Sequence, residues 1–430
     1  MDLTVESLAY GGAGVARAED GVTVFVDGSC PGDIVRATIT EDHGRFRKAV
    51  IDEVLTPSKD RVTPRCTYFG ECGGCQWQHV DYGTQLQWKR RAIADALERI
   101  GKLEVPVREA LGSTHSYGYR NKIELSATST PQGLALGYSR AGSARVLPVE
   151  RCPLLPKKLE RAPRSLTGAL RYLSSRGDTA VERVALRVSS AGKVEVDLWT
   201  APGPFPRQLA AKIIADAVGA RTVTRVLFKG DLKARNVTKV EVLGGPGMWE
   251  EQLDNHRYLV SAPSFFQVNT AAARQLRRVV AEALAPNGTD RVIDLFAGVG
   301  TFTLPLAEMA DNVIAVESSR YAIADLRRNL EVNDIFAEIE PGDADRVLPA
   351  LGRADLVVVD PPRGGLAEST VASLAATGAR RIVYVSCDPT TLARDAARIV
   401  GYGYRPTEAV PVDLFPQTYH VETVLVLDAD

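Results

Sequence analysis

Val292-Ile293-Asp294-Leu295-Phe296 runs straight into Ala297-Gly298-Val299-Gly300-Thr301, and the fold turns on how these ten residues are read. An apolar run of this length, ended by glycines, is a buried strand followed by a turn. Glycine lets the turn's backbone come close to a ligand. Working outward, Phe302 to Ala310 has a helical pattern, and Asn312-Val313-Ile314-Ala315-Val316 is a second strand ending at Glu317. Arg320 to Asn333 is helical, and Leu356-Val357-Val358-Val359 is a strand closed by Asp360-Pro361-Pro362-Arg363. Arg381 to Val385 is another strand, with a helix from Thr390 to Ile399. Strands alternating with helices imply a doubly wound, mainly parallel, Rossmann-like α/β sheet.

Such a sheet binds ligands beyond the carboxyl ends of its strands. Glu317 stands where an acidic side chain accepts the two hydroxyls of a ribose. The glycine pattern is not the full dinucleotide fingerprint, because Thr303 takes the place of the third glycine. No lysine follows to make a phosphate-binding loop. A nucleoside without a pyrophosphate fits better, and S-adenosylmethionine (SAM) meets that description.

Cys387, in Val385-Ser386-Cys387-Asp388-Pro389, follows a strand and precedes a helix. That places a thiol at the sheet's active edge, beside a helix N-terminus that favours the thiolate. Taken alone, most such cysteines are small buried hydrophobes. Glu422 opens the strand Thr423 to Leu427 and is a candidate general base or a solvated glutamate. Ser264-Phe265-Phe266-Gln267-Val268-Asn269, ahead of the first strand, either lies over the ligand or belongs to the core.

At 430 residues the chain is long enough for two or three domains. A net charge of -1 gives no global basicity, so any nucleic acid must meet a local basic patch. No apolar run reaches membrane-spanning length, and Met1-Asp2-Leu3-Thr4 lacks the features of a signal peptide. A cytosolic protein, not associated with membranes and monomeric, is expected.

Residues 1–56 alternate apolar and polar positions between glycine and proline turns, which implies a small β-barrel of the oligonucleotide-binding type. His43, Arg45, Arg47 and Lys48 form either a phosphate-contacting edge or an ordinary rim. Residues 57–260 read as a central α+β domain. In it, Cys66-x5-Cys72-x2-Cys75 is joined much later by Cys152-Pro153. Four cysteines suit zinc or a [4Fe–4S] cluster, and the three-plus-one spacing with a trailing proline favours the cluster. Gln85 to Gly101 reads as a helix with Leu86, Ile93, Leu97 and Ile100 on one face and Lys89, Arg90 and Arg91 off it. Tyr119-Arg120-Asn121-Lys122 is a basic-aromatic strand suited to RNA, or simply an exposed face. Lys229, Lys233, Arg235 and Lys239 add positive charge around a turn. Residues 261–430 form the doubly wound domain.

Phe266-Gln267-Val268-Asn269, Asp294 to Gly300, Asp360-Pro361-Pro362-Arg363, Ser386-Cys387-Asp388-Pro389 and His420-Val421-Glu422 occur in that order. Together they resemble the SAM-dependent RNA 5-methyluridine methyltransferase family, in its iron–sulfur members that act on 23S ribosomal RNA. The first segment, with Asp27-Gly28 and Pro31-Gly32-Asp33, resembles the TRAM domain, an RNA-binding module. The resemblance implies that Cys387 is the nucleophile and Glu422 the base. It implies SAM contacts from Gln267, Phe296, Glu317 and Asp360, with Asp343 on the adenine side. It implies cluster ligation by Cys66, Cys72, Cys75 and Cys152. It also implies that the helix at Gln85 to Gly101 packs on the methyltransferase domain. Ribosomal RNA is the expected substrate, and transfer RNA is open. An exocyclic-amine methyltransferase is a competing reading from Asp360-Pro361-Pro362, opposed by Arg363, Cys387 and Glu422. A non-catalytic RNA-binding iron–sulfur protein is a third.

Overall fold

Alternation in the first segment builds a barrel. The computed structural model describes residues 1–177, 179–230 and 236–430. Strands β1 (Asp2–Leu8), β2 (Gly14–Arg17), β3 (Thr23–Asp27), β4 (Ile34–Asp42) and β5 (Phe46–Thr56) close in the order β1-β2-β3-β5-β4. Leu3, Val5, Val24, Val26, Val35, Ala37 and Ala49 fill its interior. On the rim Arg47 pairs with Asp20 and Asp42, and Lys48 and His43 both pair with Glu41. Much of the basic edge is therefore balanced by the barrel's own carboxylates.

Helix α1 (Tyr82–Ala96) starts at Asp81, whose carboxylate accepts from Gly83 N, and runs into a π-helical turn at Leu97–Gly101. Its buried stripe is not the expected one. Ile93 and Leu97 are buried, but Ile100 is 47% exposed, and Gln85 and Lys89 have no exposure at all. Lys89, read in the sequence as lying off the apolar face, forms an internal ion pair, because the surface facing it carries Asp413 and the Phe415 carbonyl of the loop at 413–417. The lower half of α1 and its π-turn join the core of the C-terminal sheet through Ile93, Ala96 and Leu97, which pack with Leu392, Ala393 and Ala409.

The central domain holds β6 (Lys122–Thr130), β7 (Gly133–Ser139), β8 (Val146–Pro148), α2 (Ala162–Ser174), β9 (Val181–Val188), β10 (Val194–Thr200), α3 (Arg207–Val218), β11 (Ala220–Lys229) and β12 (Asn236–Gly244). The sheet order is β12-β11-β10-β9-β6-β7-β8. The helices α2 and α3 cover it around Leu166, Leu170, Ile214, Leu186 and Val196. Lys233 and Arg235 lie outside the described residues. A hairpin, β13 (Trp249–Leu253) and β14 (His256–Val260), leads to the last domain.

That domain contains α4 (Thr270–Leu284), β15 (Arg291–Leu295), α5 (Thr303–Ala307), β16 (Asn312–Glu317), α6 (Arg320–Val332), β17 (Glu338–Pro341), α7 (Ala344–Leu351), β18 (Leu356–Val359), α8 (Glu368–Ala376), β19 (Arg381–Ser386), α9 (Pro389–Val400), β20 (Tyr404–Val412) and β21 (Glu422–Ala429). The order β17-β16-β15-β18-β19-β21-β20 is parallel through β19, and β21 runs antiparallel to both its neighbours. Apolar cores on both faces explain the unbroken apolar runs of its central strands. The chain leaves β15 for β16 and β17, then returns to β18 on the other side. That reversal opens a crevice at the strand ends. Among the described residues no helix is long and apolar enough to cross a membrane.

Candidate active site

The turn after β15 is shaped by its residues' backbone. Phe296 (φ 64°), Gly298 (φ 58°) and Gly300 (φ 93°) all lie in the left-handed region. A Cβ on Gly300 would sit 2.6 Å from methyl carbons of Leu304 and Leu326, so this position needs glycine for space as well as for φ. Thr303, where a dinucleotide fold has its third glycine, donates its hydroxyl to Asp294 at 2.6 Å. The substitution thus fastens the turn to the strand before it. Glu317, at the end of β16, accepts from the backbone N–H groups of Gly298 (2.8 Å), Ser318 (2.8 Å) and Ser319 (2.7 Å). These three bonds hold its carboxylate at the mouth of the turn.

Cys387 and Glu422 meet through sheet register. Ser386 pairs with Thr423, so the next residues outward, Cys387 and Glu422, face each other where β19 and β21 part. The thiol is not the ready thiolate expected from the helix N-terminus. Burial first, then the Glu422 carboxylate, push Cys387 up to about 11, with Asp360 adding to the effect. The Arg363 guanidinium opposes this as a nearby cation and hydrogen-bond donor. The N-terminus of α9 is already occupied by the Asp388 carboxylate, which caps Thr390 N and Thr391 N and spends the helix's positive end on itself. Burial, then the Asp360 charge, raise Glu422 to about 8. Burial, then Asp294, raise Asp360 to about 7. Three carboxyls with one cation in a dry site produce this pattern, which is frequent at reactive centres.

These groups line one cavity of about 720 Å³. Its lining includes Gln267, Phe296, Gly298, Glu317, Asp360, Arg363, Cys387 and Glu422. Gln267 is buried and its Oε1 has no hydrogen-bond partner, an unmet polar group of the kind a ligand satisfies. Phe265 stands at the lining 64% exposed, whereas Phe266 packs into the core against Trp249 and Tyr258. The same lining includes Cys66, Cys72, Cys75 and Cys152. Burial and neighbouring thiols raise the first three of these, Cys75 to about 12. Among the described residues no group of three or more His, Cys, Asp or Glu is set to hold a metal ion. Asp343 is exposed at the start of α7 and is not part of the lining.

The sequence reading missed how this site is held. Asn121 Nδ2 donates to Gln267 O (2.9 Å) and Thr270 Oγ1 (2.9 Å), so part of the basic-aromatic segment fixes the Gln267 loop. Lys89 Nζ donates to Asp413 Oδ1 (2.6 Å) and Phe415 O (3.0 Å), and Tyr82 also donates to Asp413. Gln85 and Gln417 exchange two hydrogen bonds, and Tyr119 donates to Pro416 O. The loop leading to Glu422 is therefore pinned by the N-terminal half. The spacing of four between Gln85 and Lys89, in line with Ile93, was the available signal.

Sequence models place these features in known families. A TRAM-domain model matches residues 1–51, a TRM5/TYW2 methyltransferase-domain model residues 265–365, and a tRNA (uracil-5-)-methyltransferase model residues 352–430. The chain is 34% identical to an uncharacterized RNA methyltransferase of Thermosynechococcus vestitus, over 99% of this chain and 97% of the relative. It is 33% identical to one of Halalkalibacterium halodurans, over 100% and 96%. Among solved structures, it resembles the Pyrococcus abyssi tRNA (uracil-54, C5)-methyltransferase in complex with S-adenosyl-L-homocysteine. That match has 28% identity, a TM-score of 0.77, and covers 99% of this chain and 100% of the other. With the TRAM barrel, the glycine turn and the crevice in place, the chain belongs to the SAM-dependent RNA (uracil-C5) methyltransferase family.

Proposed function

We propose that the protein methylates carbon 5 of a uridine in RNA through a covalent bond between Cys387 and carbon 6. The observation that carries this is Cys387 facing Glu422 across β19 and β21, in the same cavity as Gln267 and Glu317. Carbon 5 of uracil is a weak nucleophile. Cys387, its proton released, adds as the thiolate to carbon 6, and the electrons of the carbon 5–carbon 6 double bond move towards the carbonyl oxygen, from which they return to make carbon 5 the nucleophile that takes the methyl group. SAM, when bound at Gln267, Phe296, Glu317 and Asp360, supplies the methyl group. Glu422 removes the proton from carbon 5, and the sulfur–carbon bond breaks to restore the ring. Arg363 favours the thiolate. A stacked uridine does not fit such a cavity and has to be flipped out, at a cost of a few kcal/mol.

Incubation with labelled SAM and RNA, followed by digestion, tests the product. A label found only on nitrogen or ribose sinks the carbon-5 reading. Cys387→Ala abolishes turnover. Glu422→Gln accumulates a covalent RNA adduct, because addition and methylation need no base whereas elimination does.

Ribosomal RNA is our first substrate, on the overall architecture. Transfer RNA is a second reading, favoured by the likeness to the Pyrococcus abyssi tRNA (uracil-54, C5)-methyltransferase. Mapping methyluridine in RNA from a deletion strain decides between them.

Cys66, Cys72, Cys75 and Cys152 fit a [4Fe–4S] cluster. They line the same cavity, Cys152 buried and the other three half-buried, and burial first, then neighbouring thiols, push Cys66, Cys72 and Cys75 up, which an iron centre would reverse. A cluster spreads its ligands over separate irons, so it suits four sulfurs that do not converge on one point better than zinc does. Its role is to tie the 66–75 loop to Cys152. An iron assay with a visible spectrum tests it, and stoichiometric zinc without iron overturns it.

A further inference from the structure

We propose that Tyr10, on the β1–β2 loop of the barrel, is a positioning residue for the reaction, making the alignment of the thiol depend on the barrel. This rests on Cys387 being the nucleophile. The Tyr10 hydroxyl donates to the carbonyl oxygen of Cys387 at 3.3 Å. Its ring meets Tyr419 edge-on, with centroids 5.2 Å apart and planes at 85°. Tyr419 in turn lies against His420 at 4.2 Å, two residues before Glu422. One side chain of the barrel therefore touches both segments that carry the candidate reacting groups.

The loop presenting Tyr10 is fixed from behind. Ala9 N donates to Ala13 O (2.8 Å), Gly12 N to Ala9 O (3.1 Å), and the Trp77 indole to Gly12 O (2.9 Å). Gly12 has φ 107°, and a Cβ there would come within 2.9 Å of Gln76. Thus a shift of the barrel moves Tyr10 as a body. On the other side, Ser386 Oγ accepts from Asp388 N at 3.1 Å, and that N–H belongs to the same planar peptide unit as the Cys387 carbonyl, so the plane is held from within its own loop at one end and by Tyr10 of the barrel at the other. Turning that peptide plane turns the direction in which Sγ leaves the backbone. A hydroxyl bond to a carbonyl is a modest interaction, strong enough to bias a loop and weak enough to respond to RNA held on the barrel.

Tyr10→Phe keeps the ring and its contact with Tyr419 and removes only the hydroxyl. Methyl transfer is measured on a long RNA and on a short hairpin too small to reach the barrel. The rate of alkylation of Cys387 by iodoacetamide is followed in parallel by peptide mass spectrometry. The expected result is a fall of about 3- to 10-fold in kcat on the long RNA, the scale of one hydrogen bond. KM for RNA stays within about 2-fold, and the advantage of long over short RNA shrinks. The alkylation rate at Cys387 also changes. Unchanged kcat and alkylation overturn the proposal. A rise in KM alone overturns it too, by making Tyr10 an ordinary RNA contact. If Cys387→Ala keeps its activity, the nucleophile reading itself has failed, and that result is independent of the Tyr10→Phe data.

Discussion

At the residue scale the site is defined by carboxyls that burial pushes up towards neutral pH, Asp360 to about 7 and Glu422 to about 8. Glu422 has to be ionised to take a proton, and burial with Asp360 beside it holds it near 8. Adduct resolution is therefore expected to speed up as pH rises through about 8, as measured by quenched adduct levels from pH 6 to 9. A profile flat across that range contradicts the assignment. The same burial has a stability consequence whose sign follows from linkage. A carboxyl whose folded value exceeds its unfolded one favours the folded state at low pH. That contribution is lost as pH rises from the ordinary range to about 8, and is flat above. Glu422→Gln escapes this loss. It should melt higher than wild type at pH 8 to 9, by on the order of a few kcal/mol at about 1.4 kcal/mol per pKa unit, and the gain should fade towards pH 5. The positions of Cys387 and Glu422 at strand ends were legible in the sequence, because Cys387 follows one local strand pattern and Glu422 opens another, whereas the roles of nucleophile and base came only with the family resemblance. The raised thiol was not legible. It depends on Glu422, Asp360 and Arg363, which are brought to Cys387 only by the folded sheet.

At the element scale, α1 shows how polar residues can set a helix's rotation. Lys89 and Asp413 are both fully buried at 2.6 Å, and Phe415 O takes a further hydrogen bond from the ammonium. Lys89→Ala leaves the Asp413 carboxylate buried without its counter-charge, held only by Tyr82 and Phe415 N, at a cost of about 3–5 kcal/mol. The joint change Lys89→Met with Asp413→Leu should recover most of that, and chemical denaturation of the three proteins measures it. The double variant should still lose activity, because Asp413 also orders the loop before Glu422 through Phe415 N and Tyr82. Gly300→Ala forces a Cβ into Leu304 and Leu326. It should weaken SAM binding in calorimetry by about tenfold or more, since about 1.4 kcal/mol of strain accounts for a factor of ten. The α/β alternation and the barrel strands were readable because periodicity is local. The docking of α1 was readable as an apolar stripe but not as an ion pair, since the partner of Lys89 lies 324 residues along the chain.

At the scale of the whole molecule, the three regions are interdependent. The C-terminal sheet uses Ile93, Ala96 and Leu97 of α1 as core, and its loop at 413–421 is held by Lys89, Gln85, Tyr119 and Tyr10. Residues 261–430 expressed alone should therefore be poorly soluble and inactive, and co-expression with residues 1–260 should restore methyl transfer, measured with labelled SAM. Activity of the isolated segment equal to the full chain's contradicts this interdependence. The strand β21 follows β20 in the chain yet lies between β20 and β19. Until it is laid down, β20 has no route into the sheet, and Glu422 is not opposite Cys387. The strand that completes the sheet is thus the one that delivers Glu422, the proposed base. A chain with a working thiol but no base would bind its RNA once and never release it. On the proposed mechanism, placing β21 between β19 and β20 ties the base to completion of the sheet, so a chain lacking β21 would have the thiol's strand without the group that resolves the adduct.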